Sequence, residues 1–198
     1  MQALTGKWIG IMCLAIAVTL ITSTGCGLLQ RLLCGPPVTT PPAKSNIVLM
    51  NEAEQLVQPE YPNSLLIEAH GTPSSGSAED ANDIDQWLFI FVDDMGAANV
   101  GTVLLEYVGG EFGDPVHVPQ GWVGTVYERL PRVLNLAQAI QKMREAGHIG
   151  SFSMVTLRKP LTFPQPEEAL YAFSLPGRFV LVGAETGEVS VEIPQAED

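Results

Sequence analysis

Trp87-Leu-Phe-Ile-Phe91 and Tyr171-Ala-Phe-Ser-Leu175 are the two stretches on which the fold turns. Each is short, apolar and aromatic, with turn-forming or charged residues on both sides, and each reads as a β-strand. Upstream of the first stands Asn51-Glu-Ala-Glu54, and upstream of the second Asn135-Leu-Ala-Gln138. Both are helix-capping patterns, an Asn followed three positions later by Glu or Gln. Laying Asn51 on Asn135 also lays Trp87 on Tyr171 and Phe89 on Phe173 without a gap. Past the strands the spacing shortens: Val103-Leu-Leu105 falls on Val180-Leu-Val182, and Gly110-Glu-Phe112 on Gly187-Glu-Val189. The difference sits in the connection between strands, Asp93 to Val100 in one half and Pro176-Gly177 in the other. Length changes there disturb little buried structure. The expected fold is α+β, two tandem helix-plus-antiparallel-sheet modules, because helices and strands do not alternate as they do around a parallel sheet.

Working outward, the first module is expected to have a helix near Glu52 to Gln58, stopped by Pro59, then strands at Ser64–Ala69, Trp87–Val92 and Thr102–Val108. The second has an amphipathic helix at Leu136–Ala146 with Gly147 as its C-terminal cap, then strands at Phe152–Arg158, Leu170–Leu175 and Phe179–Val182. Pro115 to Pro131 links the two, with Trp122 expected to pack on one of them. The domain plan is residues 1–25 as a signal peptide, 26–45 as a Pro/Thr-rich tether, 46–128 as the first, acidic module with its linker, and 129–198 as the second module.

The amino-terminal portion carries an address. Lys7 precedes an apolar run from Ile9 to Ile21, which is too short to span a bilayer comfortably but normal for a signal peptide. Ser23-Thr24-Gly25-Cys26 follows, and this resembles a bacterial lipoprotein signal. In that family the cysteine is diacylated and becomes the new amino terminus. Gly25 fits the position before the cut, whereas Ser23 stands where a Leu is usual. The resemblance implies lipidation of Cys26 and a place at the cell envelope, facing the periplasm or exterior; Gly27 in place of Asp would imply the outer membrane of a Gram-negative host. Gly35-Pro-Pro-Val-Thr-Thr-Pro-Pro42 is then an extended, semi-rigid tether.

Composition excludes several function classes. The 22 acidic residues against 10 basic ones argue against nucleic acid, which needs clustered Lys and Arg. The acidity is uneven: no Lys or Arg lies between Lys44 and Arg129, while from Glu128 onward basic residues are interspersed with acidic ones. An acidic first module is expected to face a basic partner or to complement Arg129, Arg132, Lys142 and Arg144 of the second. Cys13, Cys26 and Cys34 are too few for a disulfide scaffold.

Tyr171 to Val191, ending in Gly183-Ala-Glu-Thr-Gly-Glu-Val189, resembles the end of a PepSY-type domain, a small α+β module of peptidase propeptides and envelope proteins. Gly183 departs from the commoner residue of that turn. The resemblance covers Asn135 to Glu192 and implies a non-catalytic module that binds proteins or restrains a peptidase. It carries over no site residues, since the shared positions are turn and core.

No motif for catalysis stands out. His70, His117 and His148 have no partners at metal-ligand spacing, and neither a nucleophile elbow nor a Gly-rich phosphate loop occurs. The most chemical-looking run is Glu79-Asp-Ala-Asn-Asp-Ile-Asp85, whose Glu79, Asp80, Asp83 and Asp85 form a weak Ca²⁺ candidate lacking the Gly and closing Glu of an EF-hand loop. A solvated acidic loop is the plainer reading. The expectation is a lipid-anchored extracytoplasmic protein, not an enzyme, without cofactor, that acts by binding an envelope protein partner or by structural support of the envelope. The alternatives are a peptidase inhibitor inserting a loop such as Gly71 to Asp83, or a loop-based hydrolytic enzyme or accessory using His70 and the Glu79–Asp85 carboxylates.

Overall fold

A computed structural model describes residues 44–94 and 100–193, and antiparallel sheet dominates it. The expected signal, the tether and Cys26 lie outside the described residues. Helix α1 (Asn46–Val57) is followed by β1 (Ser64–Thr72), a short 3-10 turn (Ala81–Asp83), β2 (Gln86–Asp94), β3 (Val100–Val108), β4 (Glu111–Phe112) and β5 (Val116–Val118). Helix α2 (Leu136–Glu145) precedes β6 (Val155–Arg158), β7 (Leu170–Leu175), β8 (Arg178–Gly183) and β9 (Val189–Glu192). All nine strands join one sheet in the order β4-β3-β2-β1-β6-β7-β8-β9, with β5 added beside β3. The α+β expectation holds in this form: two helices on a large antiparallel sheet. The first strand after each helix, β1 and β6, pair antiparallel at the centre, Glu68 opposite Arg158 and Gly71 opposite Val155.

Alternation along the strands sorts side chains to two faces. The inner face carries Leu66, Ala69, Phe89, Leu105, Leu157, Phe173 and Val180, which form one core cluster with Leu49, Met50 and Ala53 of α1 and Ala139, Ile140 and Met143 of α2. Aromatic rings stack along it: Trp87 with Phe89 at 6.0 Å and Tyr171 with Phe173 at 6.4 Å between centroids. The outer face carries a smaller cluster of Ile67, Ile90 and Val92, covered by Leu104 and Trp122. Trp122 thus packs on the first half.

Two details differ from expectation. Asn51 does not cap α1. The helix begins earlier, its first turn capped by Ser45, whose Oγ accepts from Val48 N–H. Asn51 is exposed in mid-helix and accepts instead from Arg132 Nε. The buried stripe decides this, because Asn46, Leu49, Met50 and Ala53 face the core only if the helix starts at Asn46. The buried positions Leu136, Ala139, Ile140 and Met143 of α2 have the same spacing. Asn135, by contrast, makes the expected reciprocal box with Gln138. The helix also ends as expected, with His148 N–H bonding Met143 O and Gly147 at φ +87°. The second difference is register. Phe89 pairs with Leu105, and Phe173 with Val180, so Leu105 rather than Val103 corresponds to Val180. A slip of two residues keeps every side chain on its own face, so apolar alternation cannot detect it.

Candidate functional site

The outer face at the sheet centre is built around one carboxylate. A register shift between Leu66 and Glu68 marks a β-bulge in β1, and beyond it Glu68 and His70 both point outward. Glu68 is 1% exposed. Its Oε1 accepts from His70 Nε2 at 2.5 Å, and its Oε2 accepts from Trp122 Nε1–H at 2.7 Å and from the Thr125 hydroxyl. Arg158, its cross-strand neighbour, approaches to 3.8 Å. Burial pushes the Glu68 carboxyl up, but bonds from His70, Thr125 and Trp122 outweigh it and hold the group below the ordinary glutamate range. It is an ionised acceptor that fastens the 115–131 segment, here termed the strap, to the sheet.

A second His–carboxylate pair lies near the β2–β3 end. Asp93 is 3% exposed, with Oδ2 3.8 Å from His117 Nε2, and the His117 ring stacks on Tyr61 at 5.6 Å. Asp93 sits opposite Ser64 in register. Neither Asp93 Oδ2 nor Ser64 Oγ finds a hydrogen-bond partner among the described residues. His148, half-buried, uses its backbone N–H to close the end of α2.

The acidic run does not meet His70, which bonds Glu68 instead. Asp85 accepts from Ser74 N–H and Oγ–H, and Asp83 Oδ2 accepts from the backbone N–H groups of Glu79 and Asp80. Asp80 pairs with Arg144 at 3.2 Å, and Arg144 also donates to Glu79 O. Among the described residues no group of three or more His, Cys, Asp or Glu side chains is arranged to hold a metal ion. The Gly71–Asp83 segment is tied down at Ala78, which is buried and bridges Phe152, while Ser74 to Ser77 are exposed. A groove of about 640 Å³ between the 3-10 turn and α2 is lined by Asp80, Asn82, Ile140, Gln141, Arg144 and Glu145. Bonds from Gln141 and Lys142 hold its Glu145 carboxyl below the ordinary glutamate range. The charge complement between halves is as expected for Arg129 and Arg132, which approach Glu54, and for Arg144; Lys142 pairs within its own helix with Glu145.

What sequence reasoning missed is the asymmetry of the outer face. Over β1–β3, Trp122 of the strap packs with Leu65, Leu88 and Leu104 against the buried Ile67, Ile90 and Val92. Over β7–β8 the corresponding side chains are Leu170, Ala172, Ser174, Phe179 and Leu181, all half-buried, and none belongs to either core cluster. The alternation of Tyr171, Phe173 and Leu175 with these residues signals a half-buried strand, but nothing in the pattern tells whether another segment covers the other side.

No protein-family model matches the chain, and no curated protein is significantly similar to it. Among solved structures, a candidate lipoprotein from Clostridium difficile 630 is similar over 72% of this chain and 91% of its own, with 11% identity and a TM-score of 0.46. No helix of the described residues is long and apolar enough to cross a membrane.

Proposed function

We propose that this chain is an extracytoplasmic lipoprotein, anchored through acylated Cys26, whose body binds an envelope protein without catalysis. The observation that carries the binding is the outer face of β7–β8, whose side chains join no core cluster among the described residues. On the same outer face Ile67, Ile90 and Val92 are fully buried with Trp122 packed against them, whereas Leu170, Ala172, Phe179 and Leu181 are half-buried and belong to neither core cluster of the described residues, as an interface needs. The engagement of His70, Glu68, Asp80, Asp83 and Asp85 in bonds that hold the fold supports a non-catalytic role. The PepSY likeness of the second half points the same way. The body itself we read as a duplication. Each half runs helix then four-stranded meander, and the buried Asn46, Leu49, Met50 and Ala53 of α1 have the spacing of Leu136, Ala139, Ile140 and Met143 of α2.

Two experiments test this reading. Cys26→Ser abolishes incorporation of labelled palmitate and releases the protein from membranes; palmitate-free wild-type protein refutes the anchor. A photo-crosslinking amino acid at Leu181 gives a discrete adduct in cells, whereas the same probe at Ile90, buried on the same face in the cluster against which Trp122 packs, gives none. Equal labelling from the two positions, or none from Leu181, refutes the binding face.

A further inference from the structure

The strap meets a second segment just past the end of β6 at Arg158. Thr125 and Pro160 form an antiparallel bridge, Leu161 N–H donates to Gly124 O, and Val126 N–H donates to Lys159 O. The tip so formed, residues 122–127 and 160–166, displays Val123 at 84%, Leu161 at 65% and Phe163 at 101% exposure. In a chain with net charge −12 those residues, Trp-Val-Gly-Thr-Val-Tyr and Pro-Leu-Thr-Phe-Pro-Gln-Pro, contain no charged side chain.

Most polar side chains of this tip are already bonded within the protein. Trp122 Nε1–H and the Thr125 hydroxyl donate to Glu68, the Tyr127 hydroxyl donates to Trp122 O, and the Thr162 hydroxyl donates to Pro164 O. Pro160, Pro164 and Pro166 have no N–H to lose. The side chains of this surface therefore bring few unengaged donors to a bilayer interface, where the loop backbone stays within reach of water and headgroups. Tyr127, an exposed amphipathic ring beside them, is of the kind that favours the headgroup region.

We propose that this tip is a membrane contact: Val123, Leu161 and Phe163 insert shallowly into the bilayer to which the lipid at Cys26 holds the protein. The inference rests on the anchored reading. Lipid is favoured over a protein pocket because the apolar residues crown a joined pair of segments. Beyond the Gln165 amide, the tip offers no side-chain charge or unengaged polar group for a specific partner to recognise.

The test uses the mature lipidated protein reconstituted in phosphatidylcholine vesicles, with Phe163→Trp as the probe read by difference from the parent. The expected result is a blue-shifted emission from the introduced indole, quenched by bromines on the acyl chains. Adding Val123→Asp and Leu161→Asp removes the shift and the quenching while the protein still floats with the vesicles. If the protein floats but the introduced indole emits as an exposed one, the tip proposal is overturned and the anchor stands. If neither parent nor variant floats, the anchored reading fails and takes the tip with it. A shift seen only in native envelope membranes, and not in pure lipid, also overturns the proposal, since it assigns the tip to a protein.

Discussion

Replacing Glu68 tests whether one buried carboxylate fastens the strap. In Glu68→Ala, Trp122 Nε1–H and the Thr125 hydroxyl lose their acceptor, and each orphaned buried donor costs about 1–3 kcal/mol. Thr125 is buried and bears the full penalty, whereas Trp122 is half-exposed and finds water in part. His70 and Arg158 have side chains 28% and 38% exposed, so their loss of a partner is softened by solvent. The expected destabilisation is about 3 kcal/mol, a large share of the roughly 5–15 kcal/mol that holds a domain together. Glu68→Gln keeps the volume and an acceptor oxygen but loses the charge, for about 1–2 kcal/mol.

The pH dependence follows from the direction of the Glu68 shift. The folded state holds this carboxyl below its unfolded value, so its contribution is fully present above about pH 4.3 and is lost as pH falls through the folded value. Urea denaturation of wild type, Glu68→Gln and Glu68→Ala at pH 7 and at about pH 3.5 measures both effects, with Trp122 emission reporting release of the strap. The gap between wild type and Glu68→Gln should narrow at the lower pH. A Glu68→Ala protein within about 1 kcal/mol of wild type at pH 7 would refute the fastening, and a gap that ignores pH would refute the ionised acceptor.

Two further predictions concern the edge and the core. A Cβ on Gly101 would press into His117 Nε2, well inside contact distance, and lie 3.3 Å from Val118 O. Gly101→Ala should therefore destabilise by about 1–3 kcal/mol and disrupt the Tyr61–His117 stack, and His117→Ala in the same chain should recover part of the loss; a strictly additive thermal-melt cycle contradicts this. The Tyr171 hydroxyl, fully buried, accepts from Asn46 Nδ2 at 2.9 Å and donates to Leu134 O at 2.7 Å, so Tyr171→Phe should cost about 2 kcal/mol. Burial pushes this phenol up to about 12. Its raised value means that the stabilisation is full below the ordinary tyrosine value of about 10 and lost as pH rises towards the folded value. Denaturation between these pH values should show a slope that Tyr171→Phe lacks, and identical slopes would count against it.

The strands around Phe89 and Phe173, the second helix with both its caps and the antiparallel class are legible because they rest on local chemistry: alternation, an Asn–Gln capping box, and a glycine at positive φ. The start of α1 is not legible. Asn51-Glu-Ala-Glu54 satisfies the capping pattern as well as Asn135 does, and only burial of Asn46 against Tyr171, far along the chain, places the helix earlier. Glu68 is likewise silent in sequence. It stands one residue beyond a bulge and draws its partners from Trp122, Thr125 and Arg158. His70 is visible in sequence as a titratable group, but its carboxylate is not. Proximity to the Glu79–Asp85 run along the chain says nothing of which face each side chain takes.

The strap explains why two similar meanders differ in what they expose. With Phe89 matched to Phe173, Ala69 opposite Phe89 corresponds to Val155 opposite Phe173, and the preceding Glu68 corresponds to Met154. The first half therefore presents a buried acceptor at the place where the second presents a thioether, which cannot hold an indole N–H and a hydroxyl together. A segment passing the sheet is captured on the Glu68 side, where Trp122 seals Ile67, Ile90 and Val92. On the other side Leu170, Ala172, Phe179 and Leu181 remain half-open. Under the binding proposed for β7–β8, the second half takes from an external partner the cover that Trp122, held by Glu68, gives the first.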